Sequence, residues 1–282
     1  MYPGKFEYFR ASSVNEAVAL LGQHKDSKLI AGGHSLLPLM KLRLANPAAL
    51  IDIGRVEELR GIRDGDTISI GAMTTHYEIE SSELLHDKCP ILPEAASLIG
   101  DLQVRNRGTI GGSLSHADPA ADLPAVMLAL GAQFVATGPK GSRTINADDF
   151  FTGLLQTALA DNEILTEVRV PAMKHGAYVK HPHPASRFAV VGVAAVGVEK
   201  DNKADMLRIG ITGASIHAYR PMMTEMMLNG KPLETATITE AAKHAAEGVT
   251  MNADLVASAP YRAQLAIVYT KRALMKLHER MM

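Results

Sequence analysis

The sequence predicts an α+β chain of more than one folded unit, and three observations lead there. Strand-like and helix-like segments alternate through the first part. From about residue 176 a run of strands precedes a run of helices, the pattern of a separate α+β domain. The length of 282 residues is long for one hydrophobic core and comfortable for two. The composition, 47% apolar and 21% charged, is that of an ordinary globular chain.

Taken in order, residues 6–10 read as a strand. Ser13 and Glu16 have capping-box spacing, and Val14, Ala17, Val18 and Leu21 continue one helical face. Residues 28–31 form a short buried strand that runs into a Gly32-Gly33 turn. Ser35 stands where it would cap a helix from Leu36 to about Leu44. Residues 50–53 are a strand pairing near that of residues 28–31, and a subdomain boundary follows near residue 57. Residues 59–62 and 67–70 read as a hairpin about Asp64-Gly65-Asp66. Thr74 or Thr75 caps a helix through Glu78, and residues 90–99 give another. Asp122 sits at an N-cap position before Pro124, with an apolar helix ending at Gly131. Residues 133–137, 142–145 and 163–170 are strands, with a helical turn at 148–151. Residues 178–181, 188–199 and 206–217 are strands, the last two a long hairpin. Helices follow at about 221–228, 239–248 and 261–280.

Several classes are disfavoured. The formal net charge is −1 with no Lys/Arg stripe, so a nucleic-acid surface is not expected. The start, MYPGKFEYFR, lacks signal-peptide pattern, and the longest apolar run, around 188–198, is too short to cross a bilayer. The cytoplasm is therefore the expected location, without membrane insertion. Cys89 is the only cysteine, which rules out an internal disulfide, a Cys-rich zinc site, or an iron–sulfur cluster ligated by this chain alone.

The stretch that organises the chain is residues 105–122, RNRGTIGGSLSHADPAAD, which shows no helix or strand period. Paired glycines let backbone N–H groups face an anion, and a helix start places positive dipole nearby. With the Gly32-Gly33 turn it reads as two halves of a phosphate and ribose cradle. The Gly32-Gly33 turn is neither a G-x-G-x-x-G fingerprint nor a Walker A loop.

AGGHSLLPLMKLR together with RNRGTIGGSLSHADPAADLPA resembles the FAD-binding medium subunit of the molybdenum hydroxylases, the xanthine dehydrogenase and aerobic carbon monoxide dehydrogenase type. The similarity runs the whole length. It implies a two-subdomain FAD-binding domain of the PCMH (vanillyl-alcohol-oxidase-like) type over residues 1–175, with subdomains of about 1–57 and 58–175. A small α+β C-terminal domain, an antiparallel sheet plus helices, would span 176–282. It also implies the cofactor-binding residues: Ala31, Gly32, Gly33, His34, Ser35 and Leu36 in one diphosphate loop, and Thr109, Ile110, Gly111, Gly112 and Ser113 in the other. Asp122 matches the family's acidic FAD contact, and Leu165, Lys180, Ala72 and Thr74 match by position. The resemblance implies FAD on this chain. The molybdenum cofactor would lie on a large partner subunit and two [2Fe–2S] clusters on a small one, in a dimer of heterotrimers. Electrons would pass from the clusters to FAD and on to an external acceptor. No catalytic or metal-ligating residue is expected on this chain.

Plainer readings stand beside these. His34 is a positioning residue or a turn histidine bonded to backbone. Asp122 contacts the cofactor, caps its helix, or does both; Asp118 before Pro119 is a turn pair. His116 is a possible base that the relay chemistry does not need. His181 and His183 lack a third ligand and read as loop histidines. Met222, Met223, Met226 and Met227 read as core filling. Arg105 and Arg107 either fix the loop or face a partner. A stand-alone flavin dehydrogenase or oxidase, and a non-catalytic nucleotide-binding module, are the alternative functions. The substrate and the electron acceptor stay open.

Overall fold

The opening alternation folds as β1 (Glu7–Arg10), α1 (Val14–Gln23), β2 (Ser27–Ile30), α2 (Leu36–Lys41) and β3 (Ala49–Asp52) in the computed structural model, which describes residues 2–282. The sheet is parallel with β3 in the middle, order β1-β3-β2. That position explains why Ala49, Leu50 and Ile51 are all buried, since a central parallel strand is covered on both faces. Ser13 caps α1 by accepting from the Glu16 N–H, but the Glu16 carboxylate turns back to the N–H and hydroxyl of Ser12 instead of closing a box on Ser13. Ser35 makes no side-chain cap bond to α2. The helix stops at Lys41 rather than near Leu44, where Arg43 enters left-handed backbone (φ +59).

The second unit is built on β4 (Ile62–Arg63) and β5 (Ile68–Gly71), followed by α3 (His76–Glu80), α4 (Glu83–Lys88), α5 (Ile91–Ser97), α6 (Leu102–Arg105), α7 (Ile110–His116) and α8 (Leu123–Leu130). It closes with β6 (Gln133–Gly138), β7 (Gly141–Asn146), α9 (Ala147–Phe150), β8 (Phe151–Gly153), β9 (Gln156–Thr157) and β10 (Ile164–Val170). The main sheet is antiparallel, order β4-β5-β10-β6-β7. Thr75 caps α3 with a complete capping box to Glu78. Every residue of α8 is buried, as expected of a helix apolar on all sides. Leu59 lies in a 3-10 turn, so the hairpin is shorter than its sequence suggests. Helix α4 and the β8-β9 pair carry no period strong enough to be read in advance. The stretch 105–122, expected as a long loop, contains α7; two glycines and three polar residues among seven hide its helical period.

The third unit is the antiparallel sheet of β11 (Gly176–Pro182), β12 (Ala189–Lys200) and β13 (Lys203–Thr212), with α10 (Met222–Leu228), α11 (Thr235–Ala242) and α12 (Ala259–Met281). Helix α11 begins and ends earlier than residues 239–248. Met222, Met223 and Met226 are exposed at 53%, 44% and 70%, so of the four methionines only Met227 packs against the core as the spacing suggests; the inward side of α10 is Thr224, Glu225 and Leu228.

Each of the three units has its own cluster of buried apolar residues, and Tyr178, Ala194 and Val196 of the third unit's sheet also join the core of the second unit. Two polar clamps reinforce that seam. Glu94 on α5 accepts from Lys276, Arg280 and the Tyr178 N–H, and Asp148 accepts from Arg208 and Arg220. Between the clamps β13 lies against α8 without room for a side chain: a Cβ at Gly210 would sit 1.9 Å from the Ala125 carbonyl oxygen. Backbone cannot yield as a flexible side chain does. Gly210→Ala should therefore cost about 3 kcal/mol in urea unfolding; a loss below about 0.5 kcal/mol would show that the seam is not close-packed there.

Candidate functional site

Two glycine turns from different units meet backbone to backbone. A Cβ at Gly32 would lie 2.0 Å from the Arg107 carbonyl oxygen and 3.0 Å from the Gly108 Cα. Gly33 follows with φ +74, a conformation that side chains disfavour. The turn between β2 and α2 and the start of α7 thus form one surface.

The two turns offer different chemistry. In the first, the N–H groups of Gly32, Gly33, His34, Ser35 and Leu36 donate to no acceptor among the described residues, while the Gly33 and Ser35 carbonyls accept from the first turns of α2. This row of free donors at a helix start suits an anion. His34 folds its Nδ1 onto the Gly32 carbonyl at 3.1 Å, as the turn-histidine reading expects. Ser35, freed from capping, is exposed.

In the second turn the donors are already used. Ile110 N–H donates to Thr74 O, Gly111 N–H to Ala72 O, Gly112 N–H to the Thr109 hydroxyl, and Ser113 N–H to Thr109 O. The expectation that its glycines direct N–H groups at an anion is corrected: they are glycines because space is short. A Cβ at Gly111 would lie 2.5 Å from the Ala72 Cβ, and one at Gly112 would lie 2.8 Å from the Thr109 hydroxyl. What this turn offers is a smooth, close surface, the Ser113 side chain, and the positive end of α7. Ala72 and Thr74 reach the site through these carbonyls, and Thr74 donates its own hydroxyl to Gly61 O. Leu165 is buried in β10, next to Thr166, whose carbonyl accepts from the Ala72 N–H.

Asp122 and Lys180 are brought together. The Asp122 carboxylate accepts from the Tyr178 hydroxyl at 2.6 Å and from the Lys180 ammonium at 2.9 Å, with both charged side chains 4% exposed. Burial pushes the Asp122 carboxyl up, against the pull of Lys180 and Tyr178. Lys180 also donates to the Leu98 and Arg187 carbonyls. Asp122 makes no side-chain cap bond to α8, so the capping reading falls; buried ion-pair chemistry takes its place.

The other ambiguous residues resolve locally. Arg105 fixes the loop through Glu80 and Ile99 O, whereas Arg107 is exposed. Asp118 accepts from the Ala120 N–H in a turn. His183 Nδ1 accepts from the N–H groups of Ala185 and Ser186, and His181 lies 3.3 Å from the Tyr269 hydroxyl. Among the described residues no group of three or more His, Cys, Asp or Glu side chains could hold a metal, and no helix is long and apolar enough to cross a membrane. His116 ends α7, half-buried. A groove of about 770 Å³ beside Glu94 and Arg280 shares no residue with either turn.

Sequence reading missed two site residues, Tyr178 and His76. His76 opens α3 and is 4% exposed; its N–H donates to Gly108 O, and its ring lies against Gly108. Burial, and after it the charges of His34 and Arg105, pull its pKa down to about 4. A histidine after two threonines carries no signal of that burial in sequence.

Two family descriptions match consecutive parts of the chain: "FAD binding domain in molybdopterin dehydrogenase" over residues 4–173, and "CO dehydrogenase flavoprotein C-terminal domain" over residues 176–277. The carbon monoxide dehydrogenase medium chain of Hydrogenophaga pseudoflava is 46% identical, the match covering 97% of each chain. The glyceraldehyde dehydrogenase medium chain of Sulfolobus acidocaldarius is 34% identical over 97% of this chain and 98% of its own. Among solved structures, a carbon monoxide dehydrogenase from Hydrogenophaga pseudoflava lacking the Mo-pyranopterin moiety of its cofactor superposes with a TM-score of 0.97. That chain is 45% identical, with 99% of both chains covered.

The buried histidine makes acid stability a test of this geometry. A folded-state pKa of about 4 lies below the ordinary value of 6.5, so the unfolded chain binds more protons between these values. Stability is full above about pH 6.5 and falls as pH drops toward 4, by up to about 3 kcal/mol from this group. His76→Phe should flatten that part of the pH–stability curve of the ligand-free chain in urea titrations; an unchanged slope would place His76 in contact with water.

Proposed function

The chain belongs to the family of FAD-binding medium subunits of the molybdenum hydroxylases, and on that premise we propose that it is the electron-relay subunit of a heterotrimer. It is the flavoprotein subunit of an oxidoreductase. In the proposed assembly, a small subunit with two [2Fe–2S] clusters delivers electrons and a large subunit with the molybdenum cofactor oxidises the substrate. The medium chain passes the electrons to an external acceptor, in a dimer of such trimers in the cytoplasm.

The observation that carries the relay reading is Cys89. It is the only cysteine, fully buried, and burial pushes its thiol up to about 12, so this chain has no thiolate to ligate a cluster. Iron–sulfur clusters that feed the flavin would therefore lie on another chain. The names of the relatives support substrate choice elsewhere too: the same architecture serves dehydrogenases of carbon monoxide and of glyceraldehyde.

The residues fit a dinucleotide. The free amides of the Gly32 to Leu36 turn, with Ala31 leading in, would hold the diphosphate. Thr109, Ile110, Gly111, Gly112 and Ser113 would close over it, held from behind by Ala72 and Thr74. Leu165, and Lys180 paired to Asp122, would be further neighbours of the flavin, with Asp122 acting through Tyr178 and Lys180 because its oxygens are engaged. FAD, when bound, accepts electrons singly and releases them singly or as a pair. The chain's own task is to orient it and to keep both turns in register. No residue is needed as acid or base, and His116 stays out of the mechanism.

The native complex tests this by its visible spectrum and its chain count on a denaturing gel. A flavin band with added iron–sulfur absorbance, and two co-purifying chains of larger and smaller size, is expected. A flavin on this chain alone, bleached directly by a small substrate, would sink the relay. Within the cradle, Gly32→Ala should weaken FAD binding at least about tenfold in fluorescence titrations, because its Cβ would force the turns apart. Unchanged affinity would move the diphosphate elsewhere.

A further inference from the structure

His76 belongs to no binding motif, yet it stands behind the junction of the two turns. Its N–H donates to Gly108 O at 2.9 Å, and the Cδ2–Nε2 edge of its ring is so close to Gly108 that a Cβ there would lie 2.8 Å away. Gly108 in turn lies against Gly32. The neighbouring Thr75 bridges to Thr109, so the start of α3 and the start of α7 are tied together on either side of the ring. The ring is buried and its Nδ1 has no hydrogen-bond partner, which leaves a polar atom uncompensated in the interior.

We propose that His76 is a positioning residue of the diphosphate cradle, wedging the second turn against the first and taking up a proton when an anionic diphosphate enters. The proposal rests on the flavin reading above. What opposes a proton on the ring, after burial, is the Coulomb effect of His34 in the first turn and of Arg105 on α6; Glu80 is engaged by Arg105, and Glu78 is spent in the capping box. With that field and the burial, the imidazole is neutral in the ligand-free chain. Two negative charges placed at the turns reverse the field and favour the imidazolium. A group whose pKa is higher in the bound than in the free state strengthens binding as pH falls, between the bound value and the free value of about 4. The gain is up to about tenfold per pH unit inside that window.

The test is a titration of the full-length chain with FAD from pH 5.0 to 8.0, followed by flavin fluorescence. Calorimetry in two buffers of different ionisation enthalpy counts protons taken up. Wild type should bind more tightly toward pH 5 and take up protons. His76→Phe keeps a ring in the wedge but cannot titrate, so it should bind FAD with a flatter profile and less uptake. His76→Gln, a neutral polar replacement, serves if the Phe variant does not fold. Riboflavin, which lacks the phosphates, should show no pH slope. Wild type that binds FAD equally at all pH values, or a His76→Phe variant with the wild-type slope, overturns the role of His76 while leaving the cradle intact. A wild-type chain that binds FAD at no pH removes the flavin reading itself, and this proposal with it.

Discussion

The contact on which the site depends is the one between the Gly32 turn and the Arg107–Gly108 backbone. Main chain meets main chain with no space for a methyl group, so the two units approach more closely than side chains allow anywhere else in the site. A dinucleotide is long and thin, and a cradle for it must bring the free donors of the first turn and the close surface of the second within reach of one molecule. Glycines at 32, 108, 111 and 112 make that approach possible, for different neighbours: Arg107 O, the His76 ring, Ala72 and the Thr109 hydroxyl.

Close approach alone would leave the turns free to slide. Register comes from hydrogen bonds made behind the site. Ala72 and Thr74, just past β5, hold the first turn of α7 through their carbonyls, and Ala72 is held by β10 through Thr166 O. The third unit adds its own constraint. Tyr178 and Lys180 on β11 converge on Asp122, and Thr212 on β13 donates to the Pro119 and Ala121 carbonyls, so the chain leaving α7 is fastened from the C-terminal side. A buried charge pair of this kind adds little net stability over an apolar filling. Its geometry is demanding, and that suits a segment that must not drift.

Much of this was legible beforehand. The strands of the parallel sheet, the long β12-β13 hairpin and α8 announced themselves by apolar runs bounded by turn residues. The paired glycine motifs, at their spacing, pointed to the family to which the chain belongs. Other features were hidden by short-range sequence that is ambiguous. Helix α7 is too short and too rich in glycine to show a period, and the Met222, Met223 and Met226 spacing looks like a core face while the helix turns its polar Thr224 and Glu225 inward. There Glu225 is matched by Arg220 and the Ile209 N–H, which no local pattern reveals.

The division follows from the range of the forces. Secondary structure, the glycine turns and the absence of cluster-ligating thiols depend on residues near in sequence or on composition, and the sequence by itself determined them. Which turn has free donors, whether Asp122 caps a helix or meets Lys180, and why His76 stays neutral depend on groups brought together across long chain separations: 58 residues for Asp122 and Lys180. Desolvation and Coulomb interaction act through space rather than along the chain. Only the tertiary structure could decide them.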